Sequence, residues 1–198
     1  MKLISHRRNT IAQLRETPRH LGVEVDIRSI GDRLVIHHDP YVQGESFDDW
    51  LAHYAHGTLI LNVKEEGLEQ ALIARMAAAG IADWFFLDQS FPFLIRSARA
   101  GERRCAVRVS EFEAIDTALS LAGKIDWCWV DCFTRFPLDG AQARRLQDAG
   151  LQLCLVSPEL QGRDAEAEIP ALRRLLADEG IAAEAVCTKR PDLWAEAA

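Results

Sequence analysis

The sequence has no apolar run near the ~20 residues that a membrane-spanning helix needs. Its first residues, Met1 to His6, turn polar too early for the apolar core of a signal peptide. Positive charge is also scarce, since 23 Lys and Arg stand against 30 Asp and Glu for a net charge of −7. Because phosphate backbones are bound by clustered cations, this balance argues against a nucleic-acid partner. We therefore expect a cytoplasmic protein without stable membrane insertion.

Cysteine pairs of the CxxC type are absent as well. The chain has five cysteines, an odd number, and each falls inside a predicted strand: Cys105, Cys128, Cys132, Cys154 and Cys187. Cys128 and Cys132 could be metal ligands, but a free Cys is more commonly a small buried hydrophobic residue. We expect all five to be reduced core residues.

The sequence does contain a regular alternation of strand-like and helix-like segments. Eight largely apolar segments predict strands: Lys2–Ser5, Val23–Arg28, Thr58–Lys64, Trp84–Gln89, Arg104–Val109, Trp127–Phe133, Leu151–Val156 and Ala185–Thr188. Amphipathic spacing between them predicts helices: Leu68–Ala79, Glu111–Ala122, Gln142–Ala149, Ile169–Glu179 and Pro191–Ala197. Glycines that end helices predict left-handed caps: Gly80, Gly101, Gly123, Gly150 and Gly180.

About eight βα units is the number that closes a parallel barrel. At 198 residues the prediction is an α/β fold, a minimal (β/α)8 TIM barrel forming one domain over residues 1–198. The main rival is a doubly wound open sheet, which usually begins with a Gly-rich loop, whereas the first turn here has no glycine. Gly31 and Asp32 predict a short hairpin after strand two, and its second arm delivers His38 to the barrel mouth.

An acidic pair lies in the second predicted strand. Glu24 and Asp26 are two residues apart, so both side chains lie on one face and the apolar residues beside them lie on the other. The carboxylates then point into the barrel, where an unpaired charge is costly and a cation or basic partner is required. Oxygen ligands suit Mg²⁺ or Ca²⁺. The alternative is a buried salt-bridge network with Arg28 or Lys64.

Two histidines, His6 and His38, follow predicted strands near this pair. Imidazoles, a guanidinium and carboxylates together can hold a divalent cation and move protons around a phosphate ester. Taken singly, His6 could be a hydrogen-bonded core histidine and His38 a surface loop histidine.

Together these residues resemble the glycerophosphodiester phosphodiesterase family, whose barrels are of the PLC-like phosphodiesterase type. The specific motifs, all in the first third of the chain, are His6-Arg7, Glu24-Val25-Asp26 and His38-Asp39. Weaker similarities follow at Leu61-Asn62-Val63-Lys64, Gln89-Ser90-Phe91 and Thr188-Lys189-Arg190-Pro191.

The resemblance implies a metal-dependent phosphodiesterase of lipid metabolism that acts on a small glycerophosphodiester-like molecule. It implies that His6 and His38 are the acid–base pair and that Arg7 and Lys64 bind phosphate. It also implies that Mg²⁺ or Ca²⁺ is held by three residues: Glu24, Asp26 and Asn62. Asn62 stands where the family has a third carboxylate. Glu159 could supply that carboxylate, or it could be an acidic residue at a helix N-terminus.

Two other functions stay open at this point. The first is a weakly active or inactive barrel that binds a phosphorylated ligand, and Asn62 motivates it. The second is a phospholipase or lyase acting at a membrane, which the negative net charge and the lack of a basic amphipathic helix disfavour.

Overall fold

The computed structural model describes residues 1–195, in which strands and helices alternate in the predicted order. The strands are β1 (Lys2–Ser5), β2 (Gly22–Ile30), β3 (Arg33–Ile36), β4 (Glu45–Ser46), β5 (Leu59–Val63), β6 (Trp84–Leu87), β7 (Ala106–Val109), β8 (Trp127–Val130), β9 (Gln152–Val156) and β10 (Ala185–Thr188). The helices are α1 (Ile11–Glu16), α2 (Phe47–Leu51), α3 (Glu69–Ala78), α4 (Phe91–Arg99), α5 (Ile115–Leu119), α6 (Gly140–Asp148), α7 (Ala165–Asp178) and α8 (Pro191–Trp194). A short 3-10 helix, Pro158–Gln161, follows β9.

The chain divides into two compact units, Ser5–Cys105 and a second unit of Met1–Ile4 with the chain from Ala106 onward. In the first unit, β2 pairs in parallel with β5, and β5 pairs in parallel with β6. The hairpin adds β3 antiparallel to β2 and β4 antiparallel to β3. In the second unit, β7, β8, β9 and β10 pair in that order, all parallel. The single-domain prediction stays a prediction.

All eight predicted strands are present, with ends that differ by up to three residues. The hairpin is confirmed, because Ile27 lies opposite Ile36 and Gly31 turns the chain with a φ of 64°. The predicted left-handed caps are confirmed too. Each of the five glycines predicted as caps has a positive φ: Gly80, Gly101, Gly123, Gly150 and Gly180.

The predicted helix Glu111–Ala122 is wrong at its start, since α5 begins only at Ile115. The Glu111 carboxylate instead accepts hydrogen bonds from the backbone N–H groups of Thr134 and Arg135, both at 2.7 Å. Although burial opposes it, these bonds lower the pKa of Glu111 to about 2. Glu111 is therefore a loop anchor, and a side chain that binds distant backbone cannot be recognised from helical spacing.

Helix α4 has no counterpart among the predicted helices. Pro92 lies in its first turn, where a residue without a backbone N–H is tolerated because that group has no helical partner. Aromatic residues on both sides of the proline obscure the helical pattern. For the predicted helix Pro191–Ala197, the structure has helix at Pro191–Trp194, and residues 196 and 197 lie outside the described part.

The five cysteines are buried free thiols, as expected for core residues. Burial raises the pKa of the Cys128 thiol to about 12, so the group is neutral at physiological pH. None of the helices in residues 1–195 combines the length and the apolar character that crossing a bilayer requires.

The loop that follows β3 folds back tightly at Gly44. A Cβ atom at this position would lie 2.2 Å from the carbonyl oxygen of Ile36. The contact is with backbone, so it cannot be relieved by a side-chain rotation. Only glycine allows β4 to return beside β3, and this return closes the loop that carries His38.

We predict that Gly44→Ala lowers the free energy of unfolding by about 2 kcal/mol, because the backbone must shift to admit the methyl group. Urea unfolding at constant pH measures this difference. Glu16→Ala, at an exposed position in α1, is the control and should change stability by less than about 0.5 kcal/mol. Equal effects of the two substitutions would contradict the prediction.

Candidate functional site

The acidic pair lies on β2, and both side chains are completely buried. Glu24 and Asp26 have 0% exposure, and they share one face of the strand because strand side chains alternate. Asp26 lies directly opposite Asn62 of β5 in the parallel register. The two carboxylates are therefore buried on one face of β2, and the sheet register adds Asn62 to their surroundings. That this face is the barrel interior stays a prediction.

Glu24 is held by neutral donors and by one imidazole. The backbone N–H of Arg7 donates to its Oε2 at 2.7 Å, and Asn62 Nδ2 donates to its Oε1 at 2.8 Å. His6 Nε2 lies 3.8 Å from Oε2. Burial, followed by repulsion from Asp26, raises the pKa of Glu24 to about 7. This shift marks a buried negative charge that its neighbours compensate only in part.

Asp26 is contacted by two cationic side chains. Lys64 Nζ lies 3.3 Å from its Oδ1, and Arg7 Nε lies 3.5 Å from its Oδ2. Asn9 adds two hydrogen bonds, with Nδ2 donating to Asp26 Oδ2 at 2.8 Å and Oδ1 accepting from the Asp26 N–H at 3.1 Å. The predicted salt bridge with Lys64 is thus present. Arg28 makes no ion pair in the described part of the chain and binds carbonyl oxygens instead.

Two of the three non-glycine residues with a positive φ in the described part of the chain lie at the same place. Arg7 and Asp88 have φ values of 50° and 57°, in the left-handed region that residues with a Cβ rarely adopt. Arg7 reaches Asp26, and Asp88 Oδ2 lies 3.2 Å from Lys64 Nζ. Such strain often occurs where a side chain must be presented in one direction for function. Asp88 directly follows β6, and the structure connects it to Lys64.

An open cleft of about 680 Å³ adjoins the acidic pair. The polar residues that line it include Arg7, Asn9, His37, His38 and Glu45. Arg7 belongs both to this cleft and to the surroundings of Asp26. The cleft and the buried carboxylates are therefore neighbouring parts of one candidate site.

The two adjacent histidines of the cleft are held differently. His38 Nδ1 lies 2.8 Å from Asp39 Oδ1, and this hydrogen bond lowers the pKa of Asp39. With Nδ1–H donating, Nε2 of a neutral His38 ring is an acceptor. His37 Nδ1 lies 3.0 Å from the Asp39 backbone nitrogen and 3.1 Å from the Asp39 carbonyl oxygen, so either tautomer of a neutral His37 ring has a partner there. Sequence reasoning assigned His38 but missed His37.

The structure thus brings most of the predicted site residues together. Glu24, Asp26, Asn62, Lys64 and Arg7 contact one another directly or through one neighbour. His6 contacts Glu24, whereas His38 lines the cleft. Asn9 was missed, although its place three residues after a strand-end histidine was the available signal.

Glu159, the alternative third carboxylate, lies in the second unit and is engaged there. Its Oε1 accepts from Thr188 Oγ1 at 2.7 Å and from the Lys189 N–H at 2.8 Å, and its Oε2 accepts from Ser157 Oγ. These bonds connect the residues after β9 to those after β10. A metal role for Glu159 stays a prediction.

Within residues 1–195, no group of three or more His, Cys, Asp or Glu side chains is arranged to hold a metal ion. The oxygen donors present are two carboxylates and an amide. The buried Asn62 Oδ1 accepts no hydrogen bond in the described part of the chain, whereas Asp26 Oδ1 faces the Lys64 ammonium at 3.3 Å. Hard cations bind oxygens of this kind. The oxygens of Glu24, Asp26 and Asn62 fit Mg²⁺ or Ca²⁺. Because the Asn62 amide is neutral, they carry one negative charge fewer than three carboxylates would.

No protein-family model and no curated protein sequence matches this chain. Solved structures do match. The glycerophosphodiester phosphodiesterase of Agrobacterium tumefaciens str. C58 superimposes with a TM-score of 0.67 at 19% identity, covering 98% of each chain. The glycerophosphoryl diester phosphodiesterase of Parabacteroides distasonis ATCC 8503 gives 0.67 at 12% identity, covering 97% of this chain and 84% of its own. The fold is that of the glycerophosphodiester phosphodiesterases.

A mutant tryptophan synthase alpha-subunit from Pyrococcus furiosus is also similar, with a TM-score of 0.57, 11% identity and coverage of 94% and 86% of the two chains. The phosphodiesterase likeness confirms the predicted fold class, a minimal (β/α)8 barrel, over the doubly wound open sheet. At these identities the comparisons establish the fold and leave the activity to be argued from the site.

We predict that the metal-free protein loses stability between pH 5 and pH 8 because of Glu24. A carboxyl whose pKa is about 7 in the folded protein, raised from its ordinary value of 4.5, favours the folded state when protonated, and this contribution is lost as the pH rises. The loss is about 3 kcal/mol for one buried group. Urea unfolding in chelator at both pH values measures it.

Glu24→Gln should remove most of this pH dependence, because the amide does not ionise. The control is Glu16→Gln at an exposed site, which should keep the wild-type dependence. If Glu24→Gln loses as much stability between the two pH values as wild type, another group is responsible.

Proposed function

We propose that this protein is a metal-dependent phosphodiesterase that hydrolyses a small glycerophosphodiester-like substrate. The observation that carries the proposal is the buried pair Glu24 and Asp26, flanked by Lys64 and Arg7, beside a cleft lined by His38. The fold shared with two phosphodiesterases supports the same reaction class. Acidic oxygens, fixed cations and imidazoles are the groups needed for attack on an anionic diester.

Glu24, Asp26 and Asn62 would hold Mg²⁺ or Ca²⁺. When bound, the cation would neutralise charge on the phosphate and activate an oxygen nucleophile. The partly uncompensated charge of Glu24 and the free amide oxygen of Asn62 support this assignment.

Arg7 and Lys64 bind the phosphate in this proposal. The Arg7 side chain is 42% exposed and lines the cleft, so its planar fork can donate to two phosphate oxygens. Lys64 is a point charge held between Asp26 and Asp88. These two carboxylates orient the Lys64 ammonium and compensate its positive charge.

His38 and His6 divide the proton transfers. The hydrogen bond to Asp39 fixes the His38 ring with Nε2 as acceptor, which suits a general base that takes the nucleophile's proton. His6 lies beside the Glu24 carboxyl, a position that suits an imidazolium donating to the leaving alkoxide. His37 adds a third imidazole, on the wall of the cleft.

We predict that the protein hydrolyses bis(p-nitrophenyl) phosphate or a glycerophosphodiester, and that chelator abolishes turnover until Mg²⁺ or Ca²⁺ is restored. His6→Asn and His38→Asn should each lower kcat by at least ~100-fold, because each removes a general catalyst. The control is His53→Asn, since the His53 ring bonds the carbonyl of Asp49 on α2. Turnover indifferent to chelator excludes the metal role, and near-normal histidine variants exclude the acid–base pair.

A second candidate function is a barrel that binds a phosphorylated ligand without turning it over. Asn62 favours it, because an amide in place of a carboxylate weakens the hold on a cation. Calorimetric binding of glycerol phosphates, with no hydrolysis of any diester in the presence of metal, would support this candidate over the enzyme.

We predict that Asn62→Glu binds Mg²⁺ or Ca²⁺ at least about tenfold more tightly than wild type, because ligand charge sets the affinity of such sites. Calorimetry measures the affinity, and the metal-dependent rise in Tm provides a second readout. Asn62→Gln is the matched control, because it lengthens the side chain without adding charge. Equal affinities for the Glu and Gln variants would remove residue 62 from the cation site.

A further inference from the structure

We propose that Arg28 is a positioning residue that fixes His38 and Lys64 relative to each other. The inference rests on the proposed function, since it gives Arg28 a role in assembling that site. Arg28 follows Glu24 and Asp26 at the next even position of β2, so the three side chains share one face of the strand. The first two are acidic and fully buried, whereas Arg28 lies nearer the surface.

The guanidinium of Arg28 is directed to backbone carbonyls. Nε and Nη2 donate to the carbonyl oxygen of His38 at 3.1 and 2.9 Å. Nη1 donates to the carbonyl oxygen of Lys64 at 3.3 Å. One rigid planar group therefore contacts the backbone of two proposed site residues that are 26 positions apart in sequence.

Both carbonyls lie just beyond the end of a strand. Just after β3, the His37 N–H donates to the backbone carbonyl oxygen of Asp26. Just after β5, the Lys64 N–H donates to the backbone carbonyl oxygen of Ile27, and both distances are 3.0 Å. After these bonds the chain leaves β3 and β5. Arg28 supplies donors at the point where the sheet stops, so the backbone carrying each functional side chain stays in place.

The next residues along the same strands reinforce this connection. Ser29 donates to the Glu65 carboxylate with its backbone N–H and, at 3.2 Å, with its hydroxyl. Two consecutive contacts, from Arg28 to Lys64 and from Ser29 to Glu65, thus join the end of β2 to the end of β5. Arg28 also reaches the segment that follows β3, because its other two hydrogen bonds go to the His38 carbonyl oxygen.

A lysine cannot replace this arginine. An ammonium is a single point donor without the fixed fork that spans two carbonyls. Misplacement of a catalytic group by about 1 Å can cost 100-fold in rate. We therefore expect Arg28→Lys to lower kcat roughly 10- to 100-fold because His38 is displaced, and to raise KM because Lys64, which binds the phosphate in the proposed function, is displaced with it.

The test compares three variants with wild type. Arg28→Lys and Arg28→Ala are assayed for diester hydrolysis, and Arg28→Ala is also assayed with added guanidinium or with urea, its neutral counterpart. Arg75→Lys is the control, because Arg75 bonds Asp48 on the surface and the carbonyl of Ala71. In carbonyl-labelled protein, the ¹³C resonances of His38 and Lys64 are followed in each folded variant.

The proposal expects lower kcat, rescue of Arg28→Ala by guanidinium but not by urea, and concerted shifts of both carbonyl resonances that Arg75→Lys lacks. An Arg28→Lys variant with kcat within twofold of wild type overturns it, as do unmoved carbonyl resonances. If Arg28→Ala fails to fold, Arg28→Lys decides. If wild type hydrolyses no diester, the proposed function fails, and the carbonyl resonances alone decide whether Arg28 holds both segments.

Discussion

The structure around the candidate site depends on the burial of two like charges two residues apart on one strand. Carboxylates at this depth would be strongly unfavourable without compensation, since desolvation of an ion costs several kcal/mol even after relaxation. The chain compensates Asp26 with Lys64, Arg7 and two bonds to Asn9. Glu24 receives mostly neutral donors, and its raised pKa records the remaining deficit. That deficit is the physical reason for proposing a cation beside it.

The residues around this pair are presented by strained or pinned backbone. Arg7 and Asp88 adopt left-handed conformations next to the acidic pair and to Lys64. The segment after β3 is pinned by the close approach at Gly44 and by Glu45, whose carboxylate accepts from the Ile11 N–H at 2.7 Å. Arg28 binds the carbonyl of His38 in the same segment. These constraints favour one geometry over flexibility, as expected where several groups must act on one substrate.

The amide at position 62 distinguishes this site chemically. It donates to Glu24 with its nitrogen and leaves its buried oxygen without a hydrogen bond in the described residues. A carboxylate there could not donate to Glu24, and it would add a third negative charge to the pair. The site therefore combines weaker electrostatic attraction for a cation with better stability when no cation is bound. Weaker cation binding is also the feature that favours the alternative function, a barrel that binds a phosphorylated ligand without turning it over.

The sequence by itself determined the eight strands, the hairpin, the glycine caps and the shared face of Glu24 and Asp26, because periodicity and turn chemistry are local properties. It also named His6, Arg7, His38, Asn62 and Lys64 through short motifs. Only the tertiary structure decided which partners compensate those charges. Asn9, Asp88 and His37 belong to the site, and Arg28 binds backbone carbonyls. Glu111 binds the backbone of a distant loop and is not part of the helix predicted for it. Such contacts depend on sheet register and loop return, which join residues far apart in the chain and leave no local pattern.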